Sequence, residues 1–320
     1  MADVIEDALL RRWRMHSHFG DDSGAGGPAG VARRVAGLQA QDAAAVRRAL
    51  RVRGVGDPGE PQRALLAGEV VVTWLMRGTL HLVPAEDARW LVGVFGGRNL
   101  AGGARRRREL GLTEDVLAAA LEVLPELVER PLSRAELVRE LRGRGVEVDP
   151  TGQAPAHLTA YAAAQGVLCR GAEVSAGQPG YRPLPPGRAL AGEAALGELA
   201  RWHAGAFGPV GPEDFAVWSG LGPTVARRAF TAAGLIEAAP GLFTLPGAEP
   251  PPPGPPLERL LGRYDSFLLG YRDRSLMLDP AHARRINAGG GVIRPAVVRD
   301  GRIVGTWQAE GDREAVELWE

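Results

Sequence analysis

The 320-residue sequence predicts an α+β chain made of three tandem helix, helix, helix, hairpin units and a small antiparallel β-domain. Three observations carry this. Helix-start residues recur ahead of apolar runs of helical period, every third such run is followed by two short strand-like segments, and after a proline-rich stretch the apolar period switches towards two. The repeated order is that of the winged helix, whose third helix can lie in a DNA groove while its hairpin touches the backbone.

Residues 4–19 read as a helix, and the glycine-rich stretch 21–30 as a mobile connection. Residues 31–38 and 42–51 form two further helices, and strands at 70–75 and 79–83 turn near Gly78, so that 1–108 is the first unit. In the second, 109–187, a strongly periodic helix over 112–129 has Thr113 as its cap, and Ser133 with Glu136 makes a capping box for a helix through Leu141. A third helix at 155–165 precedes strands at 166–170 and 180–183. The order recurs in 188–250, with helices at 189–206, from 211 and at 223–233, then a hairpin at 234–237 and 242–245. Residues 247–256 are a proline-rich extended linker. The β-domain, 257–320, has strands at 292–298, 302–307 and 316–319, with Asp300-Gly301 a type I′ turn signal.

Composition removes several chemistries. All 38 basic residues are Arg, so a GxxxxGK phosphate loop, a pyridoxal Schiff base and a Lys-dependent glycosylase-lyase are excluded. Cys169 is the only cysteine, which leaves no intrachain disulfide and no CxxC metal site and makes it a buried structural thiol. The six His show no metal-ligand spacing beyond His16 and His18, and no GxSxG elbow is present, so neither a metal nor any other cofactor is expected. No apolar run approaches the roughly 18 residues of a membrane span, and the acidic start at Asp3, Glu6 and Asp7 is unlike a signal peptide. A cytoplasmic protein without a membrane partner is the expectation. The formal net charge is +0, so nucleic-acid binding must come from local asymmetry. Residues 98–108 carry five Arg and no acid, and 259–302 carry nine Arg against four Asp. A solvated helix face or loop is the plain reading of such runs; the guanidinium fork suits phosphate oxygens.

Three stretches, Gly37 to Asp42 (Gly-Leu-Gln-Ala-Gln-Asp), Arg77 to Pro84 (Arg-Gly-Thr-Leu-His-Leu-Val-Pro), and Leu268 to Arg274 with Arg285 to Gly291 and Gly305 to Trp307, together resemble the tandem winged-helix DNA glycosylases. The resemblance spans about residue 4 to the last. The family hallmark is Gln, an apolar residue, then Gln or Asp; Gln39-Ala40-Gln41 is similar to the antibiotic-resistance, azinomycin-resistance-like branch. It implies three winged helices in a C-shaped arrangement, a chain running somewhat past Glu320, and a monomer that excises bulky or crosslinked N7-alkylguanine from double-stranded DNA. Gln39 and Gln41 are then the catalytic residues. Arg77, Thr79, His81, Arg105, Arg106, Arg272, Arg274, Arg284 and Arg285 are the candidate DNA contacts, with a lesion-side hairpin expected near the Arg-rich connection before Gly289.

Physical chemistry supports that assignment. An N7-alkylated guanine is already cationic, so its departure needs no general acid, and placing a water beneath C1′ is within the reach of an amide carbonyl. Residues i and i+2 of a helix point about 200° apart, so Gln39 and Gln41 can converge only at a helix end or turn. Asp42 is a good N-cap for the next helix, which places the pair in the turn before it. The plain alternative is that both amides satisfy backbone groups in that turn. His81, alternating with Leu80 and Leu82, is expected on an exposed strand face with Thr79. The rival functions are a winged-helix regulator, disfavoured because the third helices at 155–165 and 223–233 offer few side chains for base readout, and a non-catalytic paralogue that only shields adducts.

Overall fold

The computed structural model describes residues 5–20, 24–310 and 313–319. In chain order these are α1 (Asp7–Phe19), α2 (Gly27–Arg34), β1 (Leu38–Gln39), α3 (Ala43–Arg51), α4 (Glu60–Ala67), β2 (Val70–Trp74), β3 (Leu80–Pro84) and α5 (Ala85–Glu109). There follow α6 (Glu114–Leu127), α7 (Arg134–Gly143), α8 (Ala154–Ala164), β4 (Leu168–Ser175), β5 (Gln178–Pro183), α9 (Gly192–Phe207), α10 (Pro212–Ser219) and α11 (Pro223–Ala233). The chain ends with β6 (Ile236–Ala239), β7 (Leu242–Thr244), β8 (Glu258–Leu261), α12 (Ala283–Ile286), β9 (Ala296–Arg299), β10 (Arg302–Glu310) and β11 (Arg313–Leu318). Two compact units result, one from residues 1–58 and 196–320, the other from 59–195. No described helix is long and apolar enough to cross a membrane.

The second unit contains a sheet in the order β3, β2, β4, β5, antiparallel throughout. The hairpins expected to be separate wings are joined in it, through the pairing of Val72 with Arg170. Its core packs Leu117, Leu124, Leu137, Leu158 and Tyr181 from the helices and strands around α6 to β5. Thr113 caps α6 and Ser133 closes a capping box with Glu136, as the sequence predicts. Two helices of this unit were not expected: α4, and the 25-residue α5, whose last turns carry Arg106, Arg107 and Arg108. The glycines of α5 give it weak intrinsic propensity, and its packing on α8 supplies what propensity does not.

In the first unit α1, α9 and α10 surround a buried aromatic cluster. Phe19, Phe207, Phe215, Phe267 and Tyr271 are at most 1% exposed, and the ring centres of His18 and Phe207 are 4.9 Å apart. The C-terminal sheet runs β11, β10, β9, β8, all antiparallel. Strand β8 was not expected, and it follows directly on the proline-rich stretch. At the β9–β10 turn both Asp300 (φ 45°) and Gly301 (φ 77°) have positive φ, as a type I′ turn requires. Val316 is 46% exposed and Leu318 53%, so the terminal strand does not bury its apolar residues.

Three expectations need correction. The helix expected over 31–38 ends at Arg34, because Ala36 and Gly37 take left-handed conformations (φ 57° and 89°) and the Gly37 N–H returns to the Ala32 carbonyl at 2.7 Å. The chain then leaves as strand β1. The stretch 21–30 is helical from Gly27, while 21–23 lie outside the described residues. Strand β3 is buried along its whole length, so His81 is 3% exposed and not on a solvent face.

Candidate active site

The geometry of the candidate site is set by three successive local events. A left-handed pair closes α2, a two-residue strand carries Gln39, and Asp42 opens α3 by accepting from the N–H groups of Ala44 (2.8 Å) and Ala45 (3.1 Å). Gln41 lies in the bend between strand and cap. Freed from helical geometry, the two amides converge: Nε2 of Gln39 donates to Oε1 of Gln41 at 2.8 Å. Gln39 is half-buried and Gln41 exposed, and neither amide has another hydrogen-bond partner among the described residues. With that bond made, the Gln39 carbonyl keeps both lone pairs, and the Gln41 amide keeps both N–H donors.

The turn is held from behind by residues the sequence did not single out. Ser266 donates from Oγ to the Gly37 carbonyl at 3.1 Å. Two residues beyond α3, the fully buried Arg53 meets the fully buried Asp265 in a two-pronged pair at 2.9 and 2.7 Å and donates to the Ala49 carbonyl. Its guanidinium also contacts Nε2 of His18 at 2.7 Å and lies 4.8 Å from the Phe19 ring centre. Burial, then the Arg53 charge, lowers the His18 pKa to about 3, so this imidazole is neutral and accepts from Arg53. Burial opposes ionisation of Asp265, and the Arg53 charge more than offsets it, leaving the carboxyl below its ordinary value. On α3 itself, Arg48 reaches the C-terminal sheet: it donates to the Leu260 carbonyl at 3.0 Å, pairs with Glu314 and lies 4.4 Å from the Trp307 ring centre. No local signal marks Arg53, whose carboxylate partner is 212 residues away.

The remaining predicted residues fall in two sets. In the first unit, Arg272 and Arg284 are exposed, Arg274 donates to Asn287 at 3.0 Å, and Arg285 pairs with Glu317 at 2.8 Å. The expected hairpin near Gly289 has a counterpart: Asn287 and Ile293 form a bridge, and Gly289, Gly290 and Gly291 all have positive φ. In the second unit, Arg77 is exposed in a left-handed conformation (φ 55°), and Thr79 donates to the Met76 carbonyl at 3.0 Å. His81 approaches the Thr79 carbonyl through Nδ1 at 2.9 Å, and burial, then the Arg77 charge, lowers its pKa to about 3. Arg105 and Arg106 share Glu109, whose carboxyl their hydrogen bonds hold below its usual range. Arg107, in the middle of that run, is buried against the Leu100 carbonyl and the Tyr161 ring and is structural. Cys169 is buried, and desolvation raises its thiol to about 12, which suits a structural thiol.

Residues 32–319 match the family model described as AlkZ-like DNA glycosylase. A relative from Streptomyces sahachiroi, an interstrand DNA cross-link repair glycosylase, is 28% identical over 337 residues, covering 92% of this chain and 86% of the relative. The solved structure of the Streptomyces sahachiroi DNA glycosylase AlkZ superposes with a TM-score of 0.83 at 24% identity, covering 99% of this chain and 91% of that one.

Proposed function

The chain belongs to the AlkZ-like DNA glycosylase family, and from that premise we propose that it hydrolyses the N-glycosidic bond of N7-alkylguanine in double-stranded DNA, with Gln39 and Gln41 positioning the water. The observation that carries the reading is the convergence of the two amides ahead of the Asp42 cap. A pair that merely satisfied the turn would bond to its backbone; these bond to each other, leaving the Gln39 carbonyl as an acceptor for water. Water forms a bond to C1′ as the bond from C1′ to N9 breaks. The electron pair passes to the cationic base, which leaves as neutral N7-alkylguanine, and the water proton passes to solvent. No side chain has to act as a general acid or base. The gain comes from orientation and from a dipole at the developing oxocarbenium ion.

The DNA contacts proposed from sequence divide by environment. Arg272, Arg284 and Arg285, exposed in the first unit, and Arg77, Arg105 and Arg106, exposed in the second, remain our candidates for phosphate contacts. Arg274, Thr79 and His81 act by shaping the backbone next to those contacts, given their own internal bonds. The chain works as a monomer without a cofactor. The activity named for the Streptomyces sahachiroi relative makes crosslinked N7-guanine the bulky substrate to try first.

The test is a gel assay of abasic-site formation on duplex DNA. N7-methylguanine is excised, uracil is not, and the product strand stays unbroken because no Lys is present to form a Schiff base. Gln39→Ala and Gln41→Ala each lower the single-turnover rate by about 100-fold while leaving the dissociation constant for DNA near its original value. Equal excision by wild type and both variants would overturn the assignment of the Gln pair, and uracil removal at a comparable rate would overturn the leaving-group argument.

A further inference from the structure

Helix α3 carries charge that the folded chain does not use. Its nine residues include three Arg and no acid. Val46, Ala49 and Leu50 face the core, and Arg48 is taken up by the Leu260 carbonyl, Glu314 and the Trp307 ring. At about 100° per residue, Ala44, Arg47 and Arg51 fall within about 60° of one another on the side away from the core. All three are exposed, and neither Arg47 nor Arg51 has a hydrogen-bond or ion-pair partner among the described residues. We infer that this stripe is a contact surface for the backbone of duplex DNA, with Arg47 and Arg51 each holding a phosphate close to the lesion and Ala44 letting the duplex approach the helix. This rests on the reading that the chain acts on duplex DNA, and it adds α3 to the contacts proposed above.

Charge favours a phosphate partner over a merely solvated face. Two like charges four residues apart repel and weaken a helix, and α3 has no acid to offset them. Exposed Arg on other helices do find acids: Arg105 and Arg106 share Glu109, Arg144 pairs with Glu126, and Arg201 with Glu198. The two guanidinium forks of α3 are left for an external anion, and phosphate oxygens match their geometry.

Position makes that anion the DNA backbone beside the lesion. The stripe is held in register with the Gln turn, because Asp42, which directly follows Gln41, accepts from the N–H groups of Ala44 and Ala45 and starts the helix. The far end is equally fixed, since Arg53, two residues past α3, is anchored on Asp265. Along the axis Arg47 lies about 7.5 Å and Arg51 about 13.5 Å from the cap. Phosphates of one strand advance about 3.4 Å per nucleotide along the duplex, so a lesion at the Gln turn places the stripe beside phosphates within about six nucleotides of it. The rise of about 6 Å between the two Arg reaches two phosphates, not one. At the end nearest the Gln pair, Ala43 and Ala44 are exposed and carry nothing beyond Cβ to hold the duplex off.

The test couples each Arg to a particular phosphate. The full chain is titrated with a duplex holding a stable tetrahydrofuran abasic analogue, in which each linkage within about six nucleotides on both strands is replaced in turn by an uncharged methylphosphonate. Arg47→Gln and Arg51→Gln each bind the unmodified duplex about ten-fold more weakly and lower the salt slope by about one. Wild type loses affinity at a few linkages, and each variant is indifferent to one of these, a different one for each Arg. Ala44→Glu, an acid that suits the first turn of a helix, keeps the fold and weakens binding by a similar factor. Unchanged affinity and salt slope in both Arg variants, or losses that add to those of every linkage, would overturn the surface. Excision of N7-methylguanine by wild type is measured in parallel. Excision with a failed scan sinks the α3 surface alone; the expected scan without excision sinks the catalytic reading alone.

Discussion

Arg53 and Asp265 have fully buried side chains, and the two terminal nitrogens of the guanidinium donate to Asp265, His18 and the Ala49 carbonyl, while its Nε has no hydrogen-bond partner among the described residues. Removing one member would leave the other's charge in the aromatic core with no water to receive it. Arg53→Met and Asp265→Leu should therefore each lower unfolding stability by about 3–5 kcal/mol. The double variant, with no orphaned charge, should lose clearly less than the sum. Urea denaturation of the four proteins checks this, and strict additivity would mean that the pair does not behave as a unit. His81 shows the same physics in a milder form. Alternation of Leu80, His81 and Leu82 suggested one wet face, but β3 is covered on both sides and the imidazole is kept as a neutral partner of the Thr79 carbonyl. Period-two patterning tells which residues share a face. It does not tell whether the second face meets water.

At the level of the element, the turn that carries Gln39 and Gln41 was legible because its determinants are local. The angular argument against a mid-helix pair, and Asp as a cap before an Ala-rich run, placed the Gln residues where they lie. The exit from α2 was not legible, since it depends on Ala36 adopting φ 57°, a conformation that no L-residue announces in sequence. Long α5 was hidden by its own glycines. Gly96 sits under the Ala164 carbonyl with no room for a side chain, so what looks like a helix breaker is the residue that lets α5 approach α8. What depends on partners far along the chain was invisible; what depends on the next four residues was not. One consequence can be measured at the cap. Asp42→Ala should cost about 1 kcal/mol of stability and, by loosening the strand-to-helix turn, should lower excision while leaving DNA affinity in place. A variant that loses stability and keeps the full excision rate would show that the cap does not position the Gln pair.

Across the whole molecule, three imidazoles are held neutral by burial: His18 and His203 in the first unit and His81 in the second. Their pKa values are lowered from 6.5 to about 3, about 4 and about 3 respectively, in each case chiefly by desolvation. The unfolded chain protonates these residues as pH falls through 6.5, while the folded chain does not until pH approaches 4 to 3. Between those limits the unfolded state binds more protons, so stability is full above pH 6.5 and declines on acidification. Well inside the window each imidazole contributes a slope of about 1.4 kcal/mol per pH unit. Asp265, whose carboxyl is lowered, adds its own loss only from its ordinary value of 3.8 downwards, at the acid edge of this window. The two units should differ, because the first contains two of these residues and the second one. Urea unfolding at pH 7, 6 and 5, followed by separate tryptophan probes in each unit, should show stability falling at both, more steeply in the first, since in the second only His157, lowered chiefly by desolvation, adds to His81. His81→Gln should flatten the second unit's response and leave the first unit's slope intact. Stability that stays level from pH 7 to 5 in both units would mean that these imidazoles take up protons in the folded protein, and that the Arg53, His18 and Asp265 arrangement behind the Gln turn is charged differently from its geometry.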